Sequence, residues 1–559
     1  MASVDVLVVG AGPTGLTLAC ELARRGLSVR VVDDREGPST TSKAIAVHAR
    51  TLEILEDMEI AEQVIARGVK LRGVTMWAGG EVIVSADFDE LETRFNYLLS
   101  VSQADTEALL IERLAALGVA IERKSKLVGL RQDGTGVTAT VQKDGTTQPV
   151  RAAWLVGCDG ARSTVRKALE LPFEGSTYDE RFLLADLKVR WDVRDDRIAT
   201  YFADDGVVAC FPMKEGRWRV VASATPGDES DAAPTLEEMQ TLFQRRTGTG
   251  GVLSDATWLA KFRIHCRSVG RYRDDRVFLA GDAAHVHSPV GGQGMNVGMQ
   301  DAHNLGWKLA LVHGGHARGL LLDSYETERL AVAQAMLKST DVATKVGTLK
   351  SSVARATRNE VARFLSGFEF VQQRITREVA ELTVGYENSP IVREDRISML
   401  SARIGSAAGG ETPTIGSLRD FEAGPHAGAR APDGRATLSG KEGTRRIAQV
   451  IDGRSHTLLI FDGRHHSDEA YARYAKLEAA VRARYPEQVR TFVVTPHASR
   501  PAQLPEEIPV LLDPDGDLEK RYAASTECLY LIRPDLYVGY RSQPVDEAKL
   551  MSYLASILR

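Results

Sequence analysis

The sequence predicts an α/β fold built from more than one unit, and three observations carry that expectation. A short apolar run near the start leads through a glycine-rich turn and a helical stretch to a second apolar run that ends in an acid. The middle of the chain shifts to loosely alternating segments of the kind that form an antiparallel sheet. Beyond a stretch rich in Gly, Ala, Ser and Pro, strand and helix patterns begin again. The chain has 559 residues, and at roughly 100–200 residues per domain that allows about three to four folding units. Apolar residues make up 43% and charged residues 26%, the composition of an ordinary globular chain. A net charge of −5 gives no cationic field for nucleic acid or a membrane surface. Mean hydropathy is −0.18, and no apolar run approaches the length of a membrane span, about 18 residues.

The run Val4–Val9 is long enough for a buried parallel strand. Gly10, Gly12 and Gly15 follow in a G-x-G-x-x-G pattern, with Pro13 and Thr14 inside it. A helix is expected up to Arg25, closed by Gly26. The run Val29–Val32 then ends at Asp33, followed by Asp34 and Arg35. This strand–turn–helix–strand–acid order suits a dinucleotide. Gly10 permits the turn, Gly12 lets a pyrophosphate approach the backbone, and Gly15 allows helix and strand to pack closely. Free N–H groups at the helix start face the phosphates, and Asp33 is placed to accept from a ribose hydroxyl. The pattern alone is also compatible with a simple tight turn, and it does not choose between FAD and NAD(P).

Further along, Ala153–Cys158 reads as a strand running into Asp159-Gly160, whose acid also suits a turn. Between 176 and 265 the alternating segments predict an antiparallel sheet, with a hairpin turning at Lys214–Arg217. Arg276–Ala280 is another buried strand, ending in Gly281-Asp282. Pro289, Gly291, Gly292, Gly294, Met295 and Asn296 then form a loop of small residues that enters an amphipathic helix. Backbone N–H groups at such a helix start stabilise negative charge. Leu320–Arg377 is expected to be mostly helical, 398–427 to be a linker, and 428–559 a separate unit of strands and helices. The cysteines Cys20, Cys158, Cys210, Cys266 and Cys528 are far apart and odd in number, with no C-x-x-C. Neither a disulfide framework nor a metal site is expected. The chain starts with a strand rather than a secretory leader, so a reduced, cytoplasmic setting is expected.

Taken with Ser42-Lys43-Ala44, Arg50-Thr51-Leu52-Glu53, Gln103 with Glu107, and Tyr325-Glu326-x-Glu328-Arg329, the three signatures resemble the class A flavin-dependent aromatic hydroxylases, the family of para-hydroxybenzoate hydroxylase and phenol hydroxylase. The resemblance covers about two thirds of the chain. It implies a Rossmann-like FAD-binding domain over 1–175 and 266–397 with a helical extension. It also implies an inserted antiparallel-sheet substrate domain over 176–265 and a thioredoxin-like C-terminal domain without C-x-x-C. It implies FAD contacts at Lys43, Ala44, Arg50, Gln103, Asp159, Gly160 and Asp282, and places the pyrimidine side of the ring at the loop 289–296. Lys43 departs from the commoner arginine and lacks its planar fork. The resemblance further implies NAD(P)H and dioxygen as co-substrates, a flavin hydroperoxide as oxygenating species, and an aromatic small molecule as substrate. Phe211, Pro212, His287 and Pro289 are placed near it, though plain core remains the alternative for Phe211. For a phenol, proton acceptors or tethers are sought among His287, Arg263, His265, Tyr201 and Tyr386, each also open to a structural role. Baeyer–Villiger oxygenation, epoxidation and flavin binding without turnover are the competing functions, and homodimerisation stays open.

Overall fold

The computed structural model describes residues 3–39, 42, 44–225, 227–228, 230–288, 290–347, 369–396, 415–464 and 468–559. It divides into two compact units. The first takes in Met1–Leu91, Phe95–Gly306 and Arg329–Leu382, and the second Glu92–Arg94, Trp307–Glu328 and Thr383–Arg559.

The first unit contains two large sheets. In one, Ser3–Val9 pairs in parallel with Val29–Val32 on one side and Thr146–Gly157 on the other, and Val277–Leu279 extends the parallel set. Valines and leucines fill the centre because a parallel strand is buried on both faces; Val6, Leu7 and Val8 have no exposed surface. The helix Pro13–Ala23 covers this sheet, with Leu16, Leu18 and Leu22 turned into the core. The strand ends Val9, Gly157 and Leu279 therefore lie side by side, and each runs into one of the three glycine-containing motifs.

The second sheet has eight strands and is mainly antiparallel. Two long strands, Glu174–Arg190 and Val252–Ser268, lie towards one edge, with Arg217–Ser223, Gly206–Pro212 and Arg197–Ala203 beyond. The pleat separates two faces. Leu183, Ala185, Val208, Cys210, Trp218 and Val220 pack beneath the helix Leu236–Thr247, with Met239 and Phe243. Phe182, Ile264 and Cys266 form a second cluster with Val207, Val221, Phe262 and Leu337. The expected limits 176–265 are too narrow. Gly73–Ala78 joins in parallel beside Arg197–Ala203, and Glu81–Asp87 follows it. His285–Val286 closes the opposite edge. Such non-local pairing leaves no trace in local periodicity.

The second unit is built on another eight-stranded sheet. His456–Phe461 pairs in parallel with Val489–Thr495 across the helix Asp468–Arg484, and antiparallel with Cys528–Ile532, which turns back into Val538–Gln543. The helix Glu547–Ile557 ends the chain. Two expectations are corrected here. Residues 383–396, expected with the first domain, belong to this unit, since Arg393–Arg396 pairs with Val538–Gln543. The expected linker 398–427 contains the helix Ile415–Ala423, held by Phe421 in the core; 397–414 lie outside the described residues. The stretch Leu320–Arg377 supplies the helices Leu320–Gly347 and Glu369–Val379.

Candidate cofactor and active site

The first motif folds as its glycines require. Gly10 sits at φ +104°, where a side chain would be strained and would overlap the Cys158 carbonyl. A methyl on Gly15 would strike the Gly10 carbonyl, whereas one on Gly12 would meet nothing within 4 Å among the described residues. Gly12 N-caps the helix Pro13–Ala23 without any side-chain cap. The open surface at Gly12 thus coincides with free helix N–H groups, a cradle for phosphate. Asp33, 3% exposed, ties down the loop: Ala11 N–H donates to Oδ2 (2.6 Å) and Arg35 N–H to Oδ1 (2.9 Å). Burial pushes this carboxyl up, but Arg35 and the Ala11 N–H hold it below the usual carboxylate range. Asp34 is exposed. Thr14 packs between Gly281 and Gly298, so it spaces the first and third motifs.

Asp159 turns out to be committed to its own loop. Its oxygens accept from Ser163 Oγ (2.5 Å) and from the Thr164 and Val165 N–H groups (2.6 and 3.2 Å). Arg166 then joins two motifs, donating to the carbonyls of Ala161 (2.8 Å) and Ala283 (2.9 Å). Gly160, at φ +78°, has none of the described residues within 4 Å of where a side chain would start. Gln103 donates its N–H to Ala44 O (3.0 Å) and its Nε2 to Glu107 (2.8 Å). Arg50 is buried, with Nη1 on Glu53 Oε2 (2.8 Å). Lys43 and Pro289 lie outside the described residues.

At the third motif Asp282 is exposed on a single 3₁₀ turn, Gly281–Ala283. That turn is set by a residue sequence reasoning missed. Asp301, with no exposed surface, accepts from Gly281 N–H (2.9 Å), His285 Nε2 (2.8 Å) and Arg329 Nε (2.6 Å). Burial raises the Asp301 carboxyl, but Arg329 and His285 bring it below its usual range. Asn296 likewise acts as a brace through its side chain. Its Nδ2 donates to Ala46 O (2.9 Å) and Gly292 O (3.0 Å), and its Oδ1 accepts from His48 N–H (3.0 Å). The backbone of Gly294, Met295 and Asn296 opens the 20-residue helix Gly294–His313, so its N–H groups face the loop.

His287 lies beside this helix start. Its ring Nδ1 donates to Ser288 O (2.9 Å), and its buried Nε2 has no hydrogen-bond partner among the described residues. A methyl on Gly294 would stand 3.6 Å from that Nε2. Burial, with His285 nearby, brings the imidazole down to about 4, so it is neutral at physiological pH. The other proton-acceptor candidates fall elsewhere. Tyr201 stacks on Trp77 in the core beneath the helix Leu236–Thr247, and burial pushes its phenol up to about 12. Arg263 and His265 are exposed on a strand edge, against Asp231 (3.4 Å) and Thr177 (2.9 Å). Tyr386 belongs to the second unit, packed on Tyr537. Phe211 is half-buried and Pro212 buried, paired in register with Arg219 and Trp218. By strand alternation Phe211 shares the face of Val207 and Val221. On the same face lies an ion pair that no motif marks. Arg219 grips Asp186 through two 2.7 Å bonds, both residues buried, with Trp258 stacked 5.2 Å away.

Glu21, Asp57 and His303 also come together, but Arg24 and Arg25 already neutralise the two acids. This is a paired acid cluster.

An open phosphate cradle, a helix start beside an orphaned imidazole and three motifs at adjacent strand ends fit a dinucleotide-linked ring cofactor. The comparisons with known proteins give the class, the flavin-dependent aromatic hydroxylases. The chain belongs to the family described as FAD binding domain, which matches residues 3–340. It is 34% identical to 6-methylpretetramide 4-monooxygenase of Streptomyces rimosus, over 99% of this chain and 93% of that one. It is 32% identical to pentachlorophenol 4-monooxygenase of Sphingobium chlorophenolicum, over 97% and 94%. The anhydrotetracycline hydroxylase structure from Streptomyces rimosus matches with a TM-score of 0.72 and 30% identity, covering 100% of this chain and 99% of that one. The protein is an FAD-dependent monooxygenase of the aromatic-hydroxylase type.

Proposed function

We propose that the protein uses NAD(P)H and dioxygen to hydroxylate a phenolic or polycyclic aromatic small molecule. The observation that carries the reading is the convergence of the three glycine motifs at the ends of neighbouring strands, fastened together by Arg166 and Thr14. Gly12 and the helix start behind it would hold the pyrophosphate, Asp33 the ribose, Asp282 the ribityl chain, and the helix start at Gly294 the pyrimidine edge of the ring. Bound FAD supplies the electron transfer and oxygen activation. The chain positions the substrate and keeps the site dry. The half-buried apolar face with Phe211, Val207 and Val221 supports an aromatic substrate. His287 is the group we assign to the phenol: its Nε2 is unprotonated and buried, and it accepts a hydrogen bond from the substrate hydroxyl. We read the second unit as thioredoxin-like and without redox chemistry, supported by its strand–helix–strand order and the lone buried Cys528. Five buried free thiols suit a reduced cytoplasm.

The test is a panel of monocyclic phenols and fused-ring phenols or quinones, scored for stimulated NAD(P)H consumption, with product masses for the hits. A gain of one oxygen atom with the ring intact is expected. Ring expansion or cleavage would move the protein to Baeyer–Villiger chemistry, and no stimulated consumption by any member would oppose oxygenation altogether.

A further inference from the structure

The loop before the helix Gly294–His313 is bordered by a second imidazole, one that no sequence motif marks. His48 links the strand Ala46–Val47 to the helix Ala49–Asp57 and has no exposed surface. Its Nδ1 donates to the Val379 carbonyl, and its backbone N–H donates to Asn296 Oδ1 (3.0 Å). With the ring proton on Nδ1, Nε2 of the neutral ring is a bare acceptor. That Nε2 is buried and has no hydrogen-bond partner among the described residues. A methyl on Gly292 would stand 3.8 Å from it, so the lone pair borders the loop itself.

The neighbouring groups do not supply the missing donor. Asn296 Nδ2 is shared between the Ala46 and Gly292 carbonyls, which commits those two acceptors as well. Glu381, which interacts electrostatically with the ring, takes a hydrogen bond from Gln300 on Oε2, and no hydrogen bond between its carboxyl and the ring is found among the described residues. A buried acceptor left unpaired costs more than an ordinary hydrogen bond contributes, so the site calls for a ligand that brings a donor. The oxidised isoalloxazine ring carries one N–H, on its pyrimidine edge, between two carbonyls. We propose that His48 Nε2 accepts the hydrogen bond of this imide N–H, which makes His48 a cofactor-contacting residue. The inference rests on the reading that FAD places its pyrimidine edge at the loop 290–294.

The test is titration of the apoprotein with FAD and with 3-methyl-FAD, in which a methyl replaces the imide hydrogen, followed by flavin fluorescence. Wild type is expected to bind 3-methyl-FAD about tenfold more weakly than FAD. His48→Phe is expected to bind FAD about tenfold more weakly than wild type and to distinguish the two flavins no longer; His48→Gln, which keeps an acceptor, should regain part of the difference. Equal loss on methylation in wild type and His48→Phe would show that the methyl acts sterically and would overturn the inference. Should His48→Phe fail to fold, equal affinity of wild type for the two flavins overturns it on its own. Wild type that takes up neither flavin overturns the FAD reading itself.

Discussion

Single residues decide where the charges of this protein can rest. Asp301 fixes the turn that presents Asp282, although only Asp282 belongs to the recognisable motif. The motif's acid is exposed, while the buried one sets the backbone. His456, in the second unit, shows how burial tunes a group: among the described residues neither ring nitrogen has a hydrogen-bond partner, and the ring stands edge-on to Trp307. Burial, with Arg533 repelling further charge, brings it down to about 4 from 6.5. Between those values the unfolded chain holds more protons than the native one, so this contribution is present above about pH 6.5 and is lost as pH falls toward 4, to the extent of roughly 3 kcal/mol. His456→Phe should therefore be more stable than wild type at pH 5 and flatten the acid limb of a urea-midpoint profile. A profile of unchanged slope would show that this ring does not titrate as described.

At the scale of elements, the site depends on braces between segments distant in sequence. Asn296 stitches the strand Ala46–Val47 to the glycine loop, and Arg166 stitches the second motif to the third. Asn296→Leu would leave two carbonyls and one N–H unpaired. We expect a loss of about 3 kcal/mol in chemical unfolding, with FAD binding weakened at least tenfold at temperatures where the variant stays folded. Unchanged flavin affinity would mean that the loop holds its shape without this brace. The glycine motifs and their strands were legible in the sequence because each is a local pattern with a local physical reason. The braces were not, since an asparagine or aspartate within a helix carries no signal of what it faces. The same holds for Tyr201: its type suits proton chemistry, but only the pleat shows that it points into the core.

For the molecule as a whole, chain order and packing order differ. Trp307 and Leu321 share one apolar core with Leu458, Ile460, Leu529 and Leu554. Glu328, fully buried, is gripped by Arg533 (2.7 and 2.9 Å) and Lys308 (2.7 Å), and accepts from Ser389 Oγ (2.6 Å). Cutting the chain after Gly428 would therefore strip packing from residues 307–328 and take Arg533 away from Glu328, and breaking such a buried charge network is strongly destabilising. The fragment 1–428 is expected to be insoluble or to lose its cooperative thermal transition, as read by circular dichroism. A soluble fragment with a sharp transition and bound FAD would contradict this account.

The sequence by itself determined the α/β class and the three nucleotide motifs, because backbone turns, strand burial and helix starts impose residue types at fixed short spacings, and the resemblance of those motifs pointed to the flavin-dependent hydroxylases. Only the tertiary structure decided which acids are committed to the scaffold, which imidazoles are left with a bare lone pair, and where the units divide. Those outcomes depend on contacts between residues tens to hundreds of positions apart, and pairing across such distances is set by the packing of whole elements rather than by any local pattern.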